Sequence, residues 1–333
     1  MPESIPYLVV LVVAVALIFD YINGFHDAAN SIATIVATRV LTPGQAVAWA
    51  AFWNFAAAFS AGTGVASTIG SGLVDLNKID SYVILAGLIG AITWNLITWF
   101  WGLPSSSSHA LIGGYAGAAI ARAGMSAIMW GPKWRDTLLV IFIAPLIGLV
   151  LAYLLMVLVF WLFRSSSPKK MDAWFRKLQL VSAAFFSYAH GANDAQKTMG
   201  IIAGVLYTSK VIPTFDVPTW VILAAHLAIA LGTLSGGWRI IRTMGGRLTR
   251  LKPRSGFCAE TAAGLSIIFA TIIGKPVSTT HTVAGAIAGV GSIQRLKAVR
   301  WGVAQNIIWA WIMTIPAASA VGWMSMKIID AVK

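Results

Sequence analysis

Gly102-Leu-Pro-Ser-Ser-Ser-Ser-His109 and, 172 positions later, Gly274-Lys-Pro-Val-Ser-Thr-Thr-His281 decide how this chain is read. In each, Gly-x-Pro closes one apolar segment and opens another, because proline suits the first turn of a helix. Ser and Thr hydroxyls then gather with free N–H groups at a helix start. Such a start attracts anions through hydrogen bonds and through the positive end of the helix dipole. One Ser-rich turn alone would be an ordinary N-cap. Two matched turns in apolar surroundings point to a shared anion site. The match runs on, with Gly113, Ala116 and Gly117 falling on Gly285, Ala288 and Gly289. A shift of 167 likewise places Tyr21, Gly24, Asp27 and Ala28 on Tyr188, Gly191, Asp194 and Ala195. Two polar motifs recurring in the same order mark an internal duplication.

The rest of the chain sets the medium in which these motifs lie. Of 333 residues, 58% are hydrophobic and only 11% charged, against about 25% charged in soluble domains. Mean hydropathy is +0.79. Long apolar runs rather than short alternations fill the sequence, so the predicted class is an all-α polytopic membrane protein. Ten apolar segments are read: Ile5–Thr38, Ala46–Ala66, Tyr82–Trp101, Leu103–Ala121, Thr137–Phe163, Leu178–Thr208, Thr219–Trp238, Ala259–Gly274, Pro276–Ile293 and Trp301–Lys327. The single cysteine, Cys258, precludes an internal disulfide. No cleavable signal peptide is expected, since Glu3 stands where a basic region would.

Charge then predicts orientation. The net charge of +13 would suit nucleic acid, but Lys and Arg cluster in short loops between apolar runs, which is the pattern of topology determinants. With the basic linker 164–177 in the cytoplasm, fifteen basic residues fall inside and seven outside. Each half, 1–163 and 178–333, has five segments, so the second is inserted upside down relative to the first. Both termini are then expected on the outer side of an inner membrane. Inverted repeats with a broken first helix and a Pro/Ser hairpin or helix break are the usual build of alternating-access transporters.

Asp27 and Asp194 sit near the middle of long apolar segments, where a carboxylate costs about 2.5–3.5 kcal/mol on insertion scales. They require partners or part-time protonation; the plainer alternative is an acid that pins two helices together. Gly24 and Gly191 would let each helix unwind beside its acid. Asp20, at similar depth but unmatched in the second half, is as readily structural as functional. His109 and His281 either hold their turns or relay a proton. Lys197, three residues after Asp194, forms either an internal ion pair or a coupling group, and Lys275 is a second intramembrane cation. Glu260 opens a segment, where the helix dipole alone could account for it.

Taken together, Asn23-Gly-Phe-His-Asp-Ala-Ala-Asn30, Gly102-Leu-Pro-Ser-Ser-Ser-Ser-His109, Gly191-Ala-Asn-Asp-Ala-Gln-Lys-Thr-Met-Gly200, Gly256-Phe-Cys-Ala-Glu-Thr261 and Pro276-Val-Ser-Thr-Thr-His281 resemble the inorganic phosphate transporter (PiT) family, closest to its bacterial low-affinity branch. The resemblance implies phosphate symport by an elevator-like or rocking movement, often in a homodimer. It implies substrate contacts from Ser106, Ser107, Ser108, Ser278, Thr279 and Thr280 with Asp27 and Asp194. Asp27, Asn30, Asn193, Asp194, Lys197 and Glu260 are the candidate coupling-ion or gating residues, with His26, His109 and His281 in support. The common form is Gly-Ala-Asn-Asp-x-Ala-Asn in both halves; here His26 replaces the first Asn and Gln196-Lys197 replaces Ala-Asn. An ammonium at Lys197 in the place of a sodium ion favours H⁺ over Na⁺ coupling. No cofactor is expected. The branch is also associated with divalent-metal phosphate complexes, although no cluster of carboxylates, His or Cys has metal-ligand spacing.

Three rivals accompany that reading. Sulfate fits the same donors, but phosphate can donate a hydrogen bond to a carboxylate. A membrane-embedded Ser/His hydrolase would use Ser108 and His109, yet neighbours on a helix point about 100° apart. An anion channel would need no coupled proton. The expected partners are phosphate, the lipid bilayer and, by the resemblance, a second copy of the chain in a homodimer; nucleic acid is not among them.

Overall fold

The computed structural model describes residues 6–60, 62–293 and 299–332. Arg295, Lys297 and Lys333, counted above as topology determinants, lie outside them. The described residues form helices and turns, with one isolated bridge between Val74 and Ile128. In chain order the helices are α1 (Tyr7–Ala37), α2 (Pro43–Ala56), α3 (Gly64–Gly72), α4 (Ser81–Trp101), α5 (Ser107–Ala123), α6 (Pro132–Leu162), α7 (Pro168–Thr208), α8 (Thr219–Ser235), α9 (Trp238–Arg242), α10 (Pro253–Ile272), α11 (Thr279–Ser292) and α12 (Trp301–Val332).

The duplication is visible in the packing. Exchanging α1–α6 for α7–α12 turns α5 against α12 into α11 against α6, and α4 against α12 into α10 against α6. It also turns α1 against α8 into α7 against α2, and α1 against α4 into α7 against α10. Each half therefore has six helices, not five segments: the expected segment Ala46–Ala66 is split between α2 and α3 by the turn that follows Ala56. The expected linker 164–177 is helical from Pro168 onward, because Ser167 caps α7 and Pro168 occupies its first turn. Five described helices are long and apolar enough to cross a membrane: α1, α4, α6, α10 and α12. Counting α8 with the bent segment after it gives a sixth. The other segments read as spans fall short in length, or, in α7, carry charge at the start and a polar motif at the centre.

The coat is apolar and the interior polar. Phe142, Leu146, Leu154 and Trp161 on α6 and Ile308, Ile312 and Trp323 on α12 are exposed, as suits a lipid-facing surface. Asp20, Asp27, His190, Asp194, Lys197 and Glu260 are fully buried or nearly so.

The first helix is not broken. α1 and α7 run without interruption past Gly24 and Gly191. These glycines instead allow backbones to touch: a Cβ on Gly24 would lie 2.1 Å from the Ile229 carbonyl oxygen, and one on Gly191 2.5 Å from that of Asn54. Both contacts are backbone, so neither can yield by rotating a side chain. Gly24→Leu is accordingly expected to separate α1 from α8 and to lower the yield of folded protein extracted from membranes; unchanged yield and monodispersity would show that the contact is not needed.

Each hairpin turn is built alike. Gly102 and Gly274 take the left-handed conformation, φ +66° and +68°, that ends α4 and α10. Thr243 donates to the Gly102 carbonyl at 2.9 Å, and Thr68 to the Gly274 carbonyl at 2.8 Å. The turn of one half is thus tied to the region around the short third helix of the other.

Candidate functional site

The two Pro-Ser turns meet. Ser106 caps α5 by accepting from the His109 N–H at 3.3 Å, and Ser278 caps α11 by accepting from the His281 N–H at 3.2 Å. These two hydroxyls, expected on the substrate, are partly committed to the backbone. The amides of Ser107, Ser108, Thr279 and Thr280 precede the first intrahelical donors and face no acceptor in their own helices. Beyond the caps, the His109 and His281 rings stand edge to face with centroids 4.7 Å apart, and His281 stacks on Trp311 at 3.9 Å. Among the described residues, His109 Nδ1 and both nitrogens of His281 have no hydrogen-bond partner. Ser108 Oγ reaches the Val277 carbonyl of the opposite turn at 3.3 Å.

Against these tips lie the centres of α1 and α7, which run in opposite directions. Asp27 accepts from Ser107 Oγ at 3.3 Å and from Thr280 Oγ1 at 3.5 Å, and its other close neighbour is His26 Nδ1 at 2.7 Å. His26 Nε2 in turn meets Thr98 Oγ1 at 3.0 Å. Asp194 accepts from Thr279 Oγ1 at 3.5 Å and pairs with Lys197 Nζ at 2.6 Å. Under the duplication Ser107 corresponds to Thr279, so the acid–hydroxyl contact is made twice. Asn193 donates to Thr271 Oγ1 at 2.9 Å and accepts from the Val277 N–H at 3.4 Å, which fixes the second turn. Apart from the part-buried Thr271, none of these side chains is more than 4% exposed, so the two acids and the hydroxyls facing them are shut off from solvent.

Position 30 and its equivalent, 197, differ in a way that decides the electrostatics. Asn30 donates to Thr280 Oγ1 at 2.8 Å and Thr279 Oγ1 at 3.4 Å. Lys197 Nζ donates to Ser108 Oγ, to the Val277 carbonyl at 3.0 Å and to Asp194 Oδ1. Ser108 is the counterpart of Thr280, so the two residues reach the same point of opposite turns. The ammonium is surrounded by three oxygens and is 1% exposed. The internal ion pair read from the sequence is present, between Lys197 Nζ and Asp194 Oδ1 at 2.6 Å.

Other expectations change. Glu260 does not open a segment: α10 starts at Pro253, and Glu260 lies two turns inside it, fully buried. Its oxygens accept from Thr34 Oγ1 and Ser182 Oγ at 2.5 Å each and from Gln179 Nε2 at 2.9 Å, joining α10 to α1 and α7. A helix dipole therefore does not explain it. Lys275 is not an isolated intramembrane cation; it is part exposed and forms an ion pair with Asp136 at the start of α6. Sequence spacing showed no metal-type cluster, yet His190 joins Asp27 and Asp194, with one ligand atom of each within 4.8 Å of the others. His190 was missed because the cluster forms across α1 and α7, although its place four residues before Asp194 puts both on one helical face.

A duplicated polar cradle sealed inside an apolar helical coat defines a membrane transporter for a small polar solute. Comparison with known proteins specifies which. The profile described as "Phosphate transporter family" matches residues 23–173 and again 164–322. A Rhizobium meliloti protein named "Probable low-affinity inorganic phosphate transporter" is 53% identical over 326 residues, covering 98% of this chain and 97% of its own. A Bacillus subtilis protein of the same name is 44% identical over 328 residues, covering 98% of each. The chain belongs to the phosphate transporter family, which is not a family of enzymes. In fold it is similar to a solved structure titled "The sodium-dependent phosphate transporter", with a TM-score of 0.91, 24% identity, and coverage of 98% of this chain and 100% of that one.

Proposed function

We propose that this chain is a secondary active symporter that imports inorganic phosphate together with protons across a bacterial inner membrane. The observation that carries the proton reading is the Lys197 ammonium, held by three oxygens where the equivalent position of the first half has an amide. A fixed cation there leaves a mobile sodium ion little to add.

Phosphate would lie between the two helix starts, with the amides of Ser107, Ser108, Thr279 and Thr280 and their hydroxyls as donors. Asp27 and Asp194 repel an anion while both are ionised, and one proton on the pair relieves this. Phosphate also brings its own O–H to a carboxylate, which sulfate at neutral pH does not, and this favours phosphate as cargo. Where a divalent cation travels with it, the two acids and His190 are the groups within reach.

The charged contacts at the two ends of the molecule support an orientation. At one, Arg176 donates to the Arg39 carbonyl and Arg254 lies over Phe160. At the other, Arg122 bridges Asp80 and Asp330, and Lys78 pairs with Asp75. The positive-inside rule assigns the first end to the cytoplasm and both termini to the outside. The halves, 1–163 and 178–333, then cross the membrane in opposite senses.

Phosphate uptake into proteoliposomes under an imposed pH gradient tests the proposal. Accumulation in Na⁺-free buffer, resistant to excess sulfate, is expected. A strict Na⁺ requirement would overturn proton coupling, and equal competition by sulfate would overturn phosphate as the preferred anion.

A further inference from the structure

Asp20 takes no part in the cradle, yet it is completely buried on α1 and forms no salt bridge among the described residues. One of its oxygens accepts a long bond from Asn23 Nδ2, 3.4 Å; the other, Oδ2, has no protein partner. Asn23 Oδ1 has none either, and the Thr198 hydroxyl of α7 faces Asp20 without a hydrogen bond of ordinary geometry to it or to any other group. All three side chains are at least 99% buried. Ionised, Asp20 would be a buried anion with an unmet lone pair and no counter-ion, the costly way to place a carboxyl in such surroundings. Protonated, it can donate its hydrogen to Asn23 Oδ1, which has no donor, and accept from Thr198, whose hydroxyl is idle.

We propose that Asp20, with Asn23 and Thr198, forms a proton-holding site separate from the phosphate cradle and built into only one end of the transporter. Asp20 and Asp27 are seven residues apart, so they share a face of α1 about 10 Å apart along its axis. The site lies on the side of the cradle where Ser209, at the end of α7, meets Ser81 at the start of α4, beside the Asp80–Arg122 pair. The duplication places Ser187, His190 and Ser31 at the equivalent positions of the other half. At these equivalent positions one side has a carboxyl and the other a serine, and the buried carboxyl of that other side, Glu260, meets α1 at Thr34 with three donors of its own. The two sides thus hold their buried acids differently, one partnered and one not.

The groups able to bias this proton are few. Helices α2, α4, α7, α8 and α9 pack on α1. Their buried titratable side chains are His190, Asp194 and Lys197 on α7 and His226 on α8, with none on α2 or α4, and on α9 only the exposed Arg239 and Arg242. Farther along α1, α10 brings Glu260, and the tips of α5 and α11 bring His109 and His281. On α7 the opposite charges of Asp194 and Lys197 are paired at 2.6 Å, and phosphate arriving at the cradle would act on the Asp20 proton through space rather than by contact.

The inference rests on the proton-symport reading, and the isosteric variant Asp20→Asn separates the two. In reconstituted full-length protein, phosphate–phosphate exchange at equal pH should persist while accumulation driven by a pH gradient is lost. The infrared band of a protonated carboxylic acid should lose one component. Asp20→Glu should restore accumulation with a displaced pH profile. Wild-type accumulation by Asp20→Asn, an unaltered acid band, or loss of exchange together with accumulation would each overturn the assignment. Should the unmutated protein run on Na⁺ alone, the symport reading fails, and loss of the acid band in Asp20→Asn would still identify Asp20 as the holder of a proton.

Discussion

Lys197→Met should abolish concentrative phosphate uptake and destabilise the protein by about 3–5 kcal/mol, the usual cost of stripping one partner from a buried ion pair. The substitution keeps most of the side chain's apolar bulk but leaves Asp194 without the ammonium that lies 2.6 Å away, Ser108 without that donor, and the Val277 carbonyl with only the longer bond from Ser108. Thermal unfolding in detergent reads the stability, and uptake in proteoliposomes reads the function. Lys197→Asn is the informative companion, because it gives the second half the residue that the first half has at position 30. If the ammonium stands where a sodium ion would otherwise bind, this variant should recover uptake when Na⁺ is supplied and not when choline replaces it. Full uptake by Lys197→Met, or indifference of Lys197→Asn to Na⁺, would remove Lys197 from the coupling machinery.

Asp27→Asn is expected to cut proton-driven accumulation by about a hundredfold or more, on the scale of lost general acid–base function. The amide keeps the volume and the contacts to Ser107 and Thr280, but it cannot exchange a proton. Asp194→Asn should do the same and in addition lose its ion pair with Lys197, so its protein should also be less stable. Phosphate binding measured by calorimetry separates the two functions of Asp27. Retained binding with lost accumulation identifies a proton carrier. Retained accumulation against a gradient contradicts the mechanism outright.

Much of this was legible in the residues. The matched Gly-x-Pro turns gave two helix starts of one kind, and the matched acids gave the level at which they meet. What failed did so for local physical reasons. Gly24 and Gly191 permit either an unwound helix or a close backbone approach; only the position of Ile229 and Asn54 in the facing helices selects the second. Glu260 looked like a helix-start acid because the run before it is polar and basic, whereas Pro253 starts the helix two turns earlier. Its partners Thr34, Gln179 and Ser182 come from two other helices and share no spacing with it. His190 belonged to a cluster that no one segment contains. The Lys275–Asp136 pair joins the tip of one half to the first turn of a helix in the other, far apart in sequence. Sequence periodicity reports which residues share a face, but not which face another helix will meet.

The polar contacts of the interior have a further consequence, for how the chain is made. Asn30 reaches Thr280, Lys197 reaches Ser108, and Thr34 reaches Glu260, so these pairings join residues of opposite halves. A ribosome delivers α1 to the lipid more than two hundred residues before Thr280 exists. During that interval the acid-bearing face of α1 must wait beside the insertion machinery or against α4 and α5. An isolated amino-terminal half is therefore expected to be degraded, whereas two halves synthesised together as separate chains are expected to assemble, since each carries the groups that close the interior of the other.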